Sequence, residues 1–200
     1  MNANNTPATV LTERFADALA YAFAVHRTQE RKGSGVPYVA HLLGVSSLVL
    51  EYSGDEDEAI AALLHDSVED QGGAERATDV RARFGARVAD IVLGCTDAIA
   101  EPKPPWRERK EAYVAHLRLA PSSVRLVAAA DKLYNARCIV EDYRALGETL
   151  WSRFSGGRDG VRWYYRAICS ALAQPDATRR MALVAELDRT VRELETLCRP

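Results

Sequence analysis

Residues 61–70 read AALLHDSVED, a run in which a histidine and an aspartate directly follow four apolar residues. The residues from Glu56 onward are first acidic and then apolar, which is typical of a helix with carboxylates in its first turn and a buried middle. An aspartate is almost never buried without a partner or a bound metal ion. His65 and Asp66 therefore either form a structural hydrogen-bonded pair or belong to a metal site.

The rest of the chain also has a helical pattern. Apolar residues recur at helical spacing through most of the sequence, whereas alternating strand patterns are scarce. The first helix is predicted to begin at Thr6 and Pro7, and a break at 31–39 separates it from the second. Further helices are expected at 41–52, 56–70, in the stretch before Phe84, and at 88–96, 106–119, 122–143, 148–154, 161–173 and 177–197. The sequence thus predicts an all-α bundle of about eight to ten helices.

The composition is that of a globular protein. The chain has 200 residues, of which 48% are hydrophobic and 27% charged, so we expect one domain over 1–200 in which 176–200 form an appended helix. The net charge of −2 argues against nucleic acid or an anionic membrane as a partner. The apolar runs are too short to span a bilayer. The cysteines are far apart, which favours reduced thiols and a cytoplasmic location: Cys95, Cys138, Cys169 and Cys198.

Two more residues could complete a site around His65 and Asp66. His41 opens the second predicted helix. Asp131 follows three alanines, where helices pack closely and an unpaired carboxylate would be costly. The alternative for Asp131 is an ordinary ion pair on an amphipathic helix, and the residues alone leave both interpretations open.

A second pair of acids follows the first. Glu69 and Asp70 lie four residues after His65 and Asp66, so a continuous helix would place both pairs on one side. They either end the helix in solvent or join a cluster that a cation must neutralise. Histidines together with several carboxylates suit Mn²⁺, Fe²⁺ or Zn²⁺ better than Mg²⁺.

Two basic segments could bind a phosphate group or a base. Arg31, Lys32 and Ser34 belong to a glycine-containing loop ahead of His41. Arginines also alternate with aromatic residues between 151 and 166. Each segment has a simpler interpretation, namely surface charge for the loop and core packing for the aromatic residues.

Taken in order, His41, His65 with Asp66, and Asp131 resemble the H…HD…D metal signature of the HD-domain phosphohydrolases. Four longer segments resemble the hydrolase domain of RelA/SpoT enzymes and the stand-alone small alarmone hydrolases: RKGSGVPYVAH, AALLHDSVED, FGARVADIVLGCTD and ADKLYNAR. The resemblance covers about residues 14–174.

This resemblance implies an HD-domain helical bundle that binds Mn²⁺, or another divalent transition metal, and removes the 3′-pyrophosphate of (p)ppGpp to give GDP or GTP. It implies four metal ligands, His41, His65, Asp66 and Asp131. Glu69 and Asp70 match the acids that position or activate the attacking water. The expected substrate-binding residues are Arg31, Lys32, Ser34, Asn135, Arg137, Arg158 and Arg166.

The sequence also departs from the family pattern. Ala128 stands where many relatives carry a lysine, and Cys138 stands where a small hydroxyl or an acid is common. We hypothesise that Arg153, Arg158 or Arg166 replaces the lost phosphate contact. One alternative is a phosphatase of the same fold that acts on NADPH or a nucleoside monophosphate. Another is a non-catalytic nucleotide-binding regulator, although such a protein would not need both Glu69 and Asp70.

The last predicted helix has an apolar stripe along one face. Its members are Met181, Leu183, Val184, Leu187, Val191, Leu194 and Leu197. The stripe is expected to pack either on the body of the protein or on a second copy of the chain, which would make a homo-oligomer.

Overall fold

The computed structural model describes residues 9–98, 102–173 and 179–198, and these residues form ten α-helices and one 3₁₀ helix. The α-helices are α1 (Glu13–Val25), α2 (Val39–Glu51), α3 (Glu56–Leu64), α4 (Ser67–Asp70), α5 (Gly73–Phe84), α6 (Ala86–Cys95), α7 (Trp106–Leu119), α8 (Ser122–Leu146), α9 (Gly157–Leu172) and α10 (Arg179–Leu197). The 3₁₀ helix spans Gly147–Arg153. The all-α prediction is confirmed.

The helix that precedes the His-Asp pair lies at the centre of the bundle. Asp55 caps α3, because its side chain accepts a hydrogen bond from the backbone of Glu58 while the Glu58 side chain accepts one from the backbone of Asp55. Every residue from 59 to 64 is completely buried. Helices α1, α2, α6 and α8 pack around α3. The core therefore holds the end of α3 in place.

The predicted continuous helix over 56–70 is wrong, because α3 ends at Leu64 and α4 begins at Ser67. Two side chains of this turn donate hydrogen bonds to backbone carbonyl oxygens that would accept from backbone N–H groups in a longer helix. Nδ1 of His65 donates to the carbonyl oxygen of Ala62 at 2.8 Å, and the hydroxyl of Ser67 donates to that of Leu64 at 2.7 Å. The break turns the His-Asp pair out of the helix and towards α2 and α8.

The outer helices differ from the predictions mainly at their ends. Thr12 caps α1, accepting from the backbone N–H of Arg14, whereas the predicted start at Thr6 and Pro7 lies outside the described residues. Ala177, the predicted start of the last helix, also lies outside them. The predicted helix over 148–154 is the 3₁₀ helix, and α9 begins before the predicted residue 161.

The last helix packs on the body of the same chain. Helix α10 lies along α8 and α9. The middle of its apolar stripe is buried there, at Leu183, Leu187, Val191 and Leu194. Of the helices in the described ranges, none combines the length and the apolar character that crossing a membrane requires.

Candidate metal centre and substrate cavity

Four side chains that the sequence singled out meet between α2, α3 and α8. His41 comes from α2, His65 and Asp66 from the turn after α3, and Asp131 from α8. The Nε2 atoms of the two histidines lie 3.3 Å apart. Oδ2 of Asp66 lies 3.0 Å from Nε2 of His65, and Oδ1 of Asp131 lies 3.4 Å from Nε2 of His41. These four residues are called the acid–histidine cluster below.

Contacts behind the two rings fix how they face the carboxylates. The bond from Nδ1 of His65 to the backbone of Ala62 leaves Nε2 turned towards the cluster. His41 is 1% exposed, and its ring packs edge-on against those of His65 and Tyr38. The hydroxyl of Tyr38 in turn donates to Oδ2 of Asp66. Both imidazole rings and one carboxylate are therefore held from outside the cluster.

The carboxylates of the cluster are ionised at neutral pH. Burial raises the pKa of Asp66, but His65 and His41 outweigh burial and hold this pKa well below its ordinary value. Burial also raises the pKa of Asp131, but Lys132, whose Nζ lies 2.6 Å from Oδ2, and the two histidines outweigh burial and hold this pKa well below its ordinary value. The carboxylate of Asp131 is buried and that of Asp66 is half-buried, so both need positive charge beside them. A protonated histidine or a divalent cation would supply that charge.

The donor set fits a transition-metal ion. One donor atom from each of His41, His65 and Asp66 lies within 4.8 Å of the other two. Asp131 adds a further carboxylate oxygen, 3.7 Å from Nε2 of His65. Imidazole nitrogens mixed with carboxylate oxygens suit manganese, iron or zinc, whereas all-oxygen sites suit magnesium and calcium.

The two acids that follow the His-Asp pair, Glu69 and Asp70, have different neighbours. Oε1 of Glu69 lies 3.3 Å from Nζ of Lys103 and 4.0 Å from Nη1 of Arg109. Burial, and then the nearby Asp97, raise the pKa of Glu69. Asp70 is exposed, and its Oδ2 accepts a hydrogen bond of 2.8 Å from Nε2 of Gln29. Glu69 is thus paired with cations, whereas Asp70 is held by a neutral amide.

A cavity of about 340 Å³ lies beside α8, and we call it the α8 cavity. Arg31, Lys32, Ser34 and Asn135 line it, so four of the expected substrate-binding residues are brought together. Nδ2 of Asn135 donates to Oδ1 of Asp131 at 2.5 Å, and Nη2 of Arg31 donates to Oδ1 of Asn135 at 3.0 Å. This chain of contacts joins the cavity to the acid–histidine cluster.

The other three expected substrate residues do not line the α8 cavity. Arg137 pairs with Glu186 of α10. Arg158 donates to the carbonyl oxygen of Cys198. Arg166 binds two acids of α10, Asp188 and Glu195. Their positions do not support the expected substrate contacts, because all three guanidinium groups hold the C-terminal helix.

Arg153 does line the cavity, unlike the two arginines considered with it. Its side chain packs on Gly33 so closely that a Cβ atom at this glycine would lie 2.8 Å from Nε of Arg153. Gly33 also has a φ of +75°, which L side chains rarely adopt. The glycine in the RKGSG loop therefore allows Arg153 to reach the cavity wall.

Several cavity residues were not predicted as functional. Tyr38, Trp106 and Lys110 line the cavity, and no local pattern distinguishes them from ordinary helix residues. The aromatic residues Tyr164 and Tyr165 are both 6% exposed and also line it, so the core and ligand interpretations of this segment both apply.

Comparisons with known proteins agree with this geometry. A family described as the HD domain matches residues 18–162. The chain is 38% identical over 125 residues to the guanosine-3′,5′-bis(diphosphate) 3′-pyrophosphohydrolase MESH1 of Danio rerio, a match that covers 60% of this chain and 66% of that protein. It is 37% identical to the MESH1 protein of Mus musculus, over 68% of this chain and 73% of that protein. The chain thus aligns with about two thirds of the length of these curated relatives.

A solved structure is also similar. It is described as a metazoan ortholog of SpoT that hydrolyzes ppGpp, and it superposes with a TM-score of 0.75 at 29% sequence identity. The superposition covers 94% of this chain and 98% of that one. The residues matched by the family include the whole acid–histidine cluster, both acids of the second pair and the RKGSG loop, whereas α10 lies beyond them.

Proposed function

The chain belongs to the HD-domain family, and from that premise we propose that it is a metal-dependent hydrolase that removes the 3′-pyrophosphate of (p)ppGpp. The products would be GDP or GTP and pyrophosphate. The observation that carries the proposal is the acid–histidine cluster, whose Asp66 and Asp131 are hydrogen-bonded to Tyr38 and Asn135 in the wall of a cavity lined by cationic and aromatic side chains. The MESH1 relatives bear the name of this activity, and the similar solved structure is described by it.

His41, His65, Asp66 and Asp131 would hold the metal ion. Mn²⁺ suits this mixed donor set, and another divalent transition metal would also fit it. When bound, the ion would withdraw charge from phosphoryl oxygens and make water more acidic. The contacts from Ala62, Tyr38, Lys132 and Asn135 keep His65, Asp66 and Asp131 in place before substrate arrives.

Asp70 is the residue proposed to accept the proton of the attacking water. It is exposed and its partner is a neutral amide, so its carboxylate keeps the capacity to accept a proton. In the reaction, the water oxygen forms a bond to the phosphorus next to the ribose, and the bond from that phosphorus to the 3′-oxygen breaks. Asp70 takes one proton from the water, the departing 3′-oxygen takes up one proton from solvent, and Asp70 then releases its proton to solvent.

Glu69 is proposed to act differently. Lys103 and Arg109 lie beside its carboxylate, and Asp97 donates its backbone N–H to Oε2 at 3.4 Å. These contacts tie α4 to the segment between α6 and α7 and to the first turn of α7. Glu69 therefore positions α4, and with it Asp70, rather than taking the proton itself.

The α8 cavity is proposed to bind the nucleotide along the helix. Asn135 and Cys138 follow Asp131 by one and two turns, which places Cys138 about 10 Å further along the axis. The scissile phosphate would lie at Asp131, the ribose at Asn135 and the base beyond it. Arg31, which lies over the Tyr134 ring, offers a cation at the outer part of the cavity.

The lysine missing at position 128 has a physical replacement. Ala128 is buried in the core. Lys110 and Lys132 both lie near the ring of Tyr164, with their Nζ atoms 5.1 and 5.8 Å from its centroid. Lys110 lines the cavity and offers a positive charge there, whereas Lys132 is paired with Asp131. The same absence of a lysine favours the second candidate, a phosphatase for NADPH or a nucleoside monophosphate.

Product analysis by ion-exchange chromatography tests the proposal. Metal-free and Mn²⁺-loaded protein would be incubated with ppGpp, NADPH and a panel of nucleoside mono-, di- and triphosphates, with Asp66→Ala as the control. Metal-dependent release of GDP and pyrophosphate, absent in the control, is expected. If ppGpp survives while another nucleotide loses phosphate, the second candidate replaces the first. If nothing is hydrolysed, a nucleotide-binding regulator replaces both.

Two expectations remain predictions. The four cysteines are free thiols, which agrees with the expected cytoplasmic location. The apolar stripe of α10 is buried against its own chain, so a homo-oligomer would have to use another surface.

A further inference from the structure

Gln29 lies in the loop between α1 and α2, and its carboxamide contacts three side chains. Nε2 donates to Oδ2 of Asp70 at 2.8 Å. Oε1 accepts from Nε2 of Gln71 at 2.7 Å and lies 2.7 Å from Nδ1 of His26. His26 is buried at the end of α1, and Gln71 directly follows α4. One half-buried amide thus joins three elements next to the acid–histidine cluster.

These contacts allow only one orientation of the amide. A carboxylate accepts hydrogen bonds, so the nitrogen of Gln29 must face Asp70. The oxygen then accepts from Gln71 and from His26, whose Nδ1 carries the proton. Reversing the amide would place Oε1 of Gln29 against Oδ2 of Asp70, and Nε2 of Gln29 against the donors of Gln71 and His26. The orientation of Asp70 is therefore set by groups that lie outside the acid–histidine cluster.

The backbone of the same residue supports the rest of the loop. The carbonyl oxygen of Gln29 accepts from the N–H of Tyr38 at 2.9 Å. Tyr38 binds Asp66, and Arg31 of this loop binds Asn135, which binds Asp131. The loop from 29 to 38 therefore contacts two acids directly and a third through Asn135.

The second carboxylate oxygen of Asp70, Oδ1, is available to a water molecule. Within residues 9–98, 102–173 and 179–198, the one side-chain hydrogen bond to the carboxylate of Asp70 goes to Oδ2, and none is made to Oδ1. With Oδ2 fixed by Gln29, Oδ1 can accept from a water molecule in a defined direction. A carboxylate without the amide would rotate among several orientations, only some of them productive.

We propose that Gln29 is a positioning residue for the hydrolysis, which holds Asp70 in the orientation that receives the proton of the attacking water. This inference rests on the proposed function, because it assigns Gln29 a role through Asp70. Gln29 neither touches the substrate nor reaches the acid–histidine cluster with its side chain. Its contribution is to the rate of the chemical step rather than to binding.

The test compares Gln29→Met with Gln29→Glu on (p)ppGpp hydrolysis in Mn²⁺. Methionine has similar length and donates no hydrogen bond, and we expect kcat to fall about 10-fold while KM changes less than about threefold. Glutamate would place a negative oxygen against Asp70, and we expect a fall of about 100-fold. Mn²⁺ affinity by calorimetry and the melting temperature should stay close to those of the unaltered protein.

Gln71→Met is the matched control. It removes the bond that Gln29 accepts and leaves the bond that Gln29 donates, so its loss of kcat should be smaller than that of Gln29→Met. Equal losses of kcat in the two methionine variants, or equal kcat in Gln29→Met and the unaltered protein, would overturn the role proposed for Gln29. The proposed hydrolase function would stand in either case. Absence of turnover by the unaltered protein would overturn the proposed function and this role together.

Discussion

The first half of α8 carries its charges inside the protein, whereas the second half carries them at the surface. The side chain of Asp131 is 9% exposed and touches two histidines and a lysine. Further along the helix, Arg144 and Glu193 are 49% and 45% exposed and pair with each other across the contact with α10. The same long helix therefore contributes to the proposed reactive site in its first half and to the contact with α10 in its second half.

The difference lies in what a charge costs when its partner is lost. A buried charge without its partner is expensive, because water cannot replace the partner. An exposed ion pair typically contributes about 0–1 kcal/mol, because water and salt compete for both groups. Helix α10 is held chiefly by its buried leucines, and the arginines add orientation to that contact.

The largest effect is expected at Asp131. Asp131→Ala removes a carboxylate of the proposed metal site and leaves Lys132 without its partner. A bound metal is worth several kcal/mol in the transition state, so turnover should fall about 1000-fold or more, with loss of bound metal. Kinetics and metal analysis measure both. Glu193→Ala on α10 serves as the matched control, and a comparable loss in that variant would erase the distinction between the two ends of α8.

A smaller effect, on stability alone, is expected when the contact between α10 and the body of the protein is weakened. Leu187 is completely buried between α10 and the body of the protein. Leu187→Ala should lower the free energy of unfolding by about 2–5 kcal/mol, because it removes buried methyl groups and leaves a cavity. Urea denaturation measures the change, and kcat below the melting temperature should stay the same. A large loss of kcat in the folded variant would show that α10 shapes the site.

Substitution of two arginines distinguishes the α8 cavity from the contact with α10 by its effect on the KM for ppGpp. Arg31 lines the α8 cavity, whereas Arg166 binds Asp188 and Glu195. Arg31→Gln should raise KM for ppGpp about 10-fold, because it removes one charge-assisted contact. Arg166→Gln should leave KM unchanged and lower stability by about 1 kcal/mol or less. Steady-state kinetics on the two variants would contradict this division if Arg166→Gln raised KM as much as Arg31→Gln.

The smallest effect concerns stability in acid. Burial raises the pKa of Asp97, but Lys110 and Arg109 outweigh it and hold this pKa below its ordinary value of 3.8. A depressed carboxyl pKa stabilises the folded state above about pH 4, and the contribution fades as the pH falls further. Asp97→Asn should therefore melt lower than the unaltered protein at pH 6, with the gap closing below about pH 4. A gap independent of pH would contradict the ion pairing.

The site was predictable because its signals are local. Asp66 in an apolar run and Asp131 after three alanines are each carboxylates that need a partner, and the structure brings them together with His41 and His65. Helical periodicity likewise sufficed for the all-α fold. The break after Leu64 was missed, because it depends on side chains that bind backbone carbonyls, which apolar periodicity does not reveal.

The partners of the arginines could not be predicted in the same way. Arg166 meets acids 22 and 29 residues away, and Arg137 meets one 49 residues away. An arginine that binds a ligand and one that binds another helix can have the same charged and aromatic neighbours in the sequence, so the local sequence does not distinguish them. The packing of α10, which lies beyond the resemblance over about 14–174, decided between the two.

The most direct test of the account is a titration of Mn²⁺ into metal-free protein, with ppGpp turnover and bound metal measured at each step. Turnover should rise with bound metal and level off when the acid–histidine cluster is filled. His65→Ala should neither bind the ion at this affinity nor gain activity. Full turnover without metal, or equal activation of the His65→Ala variant, would contradict the assignment of the cluster as the reactive centre.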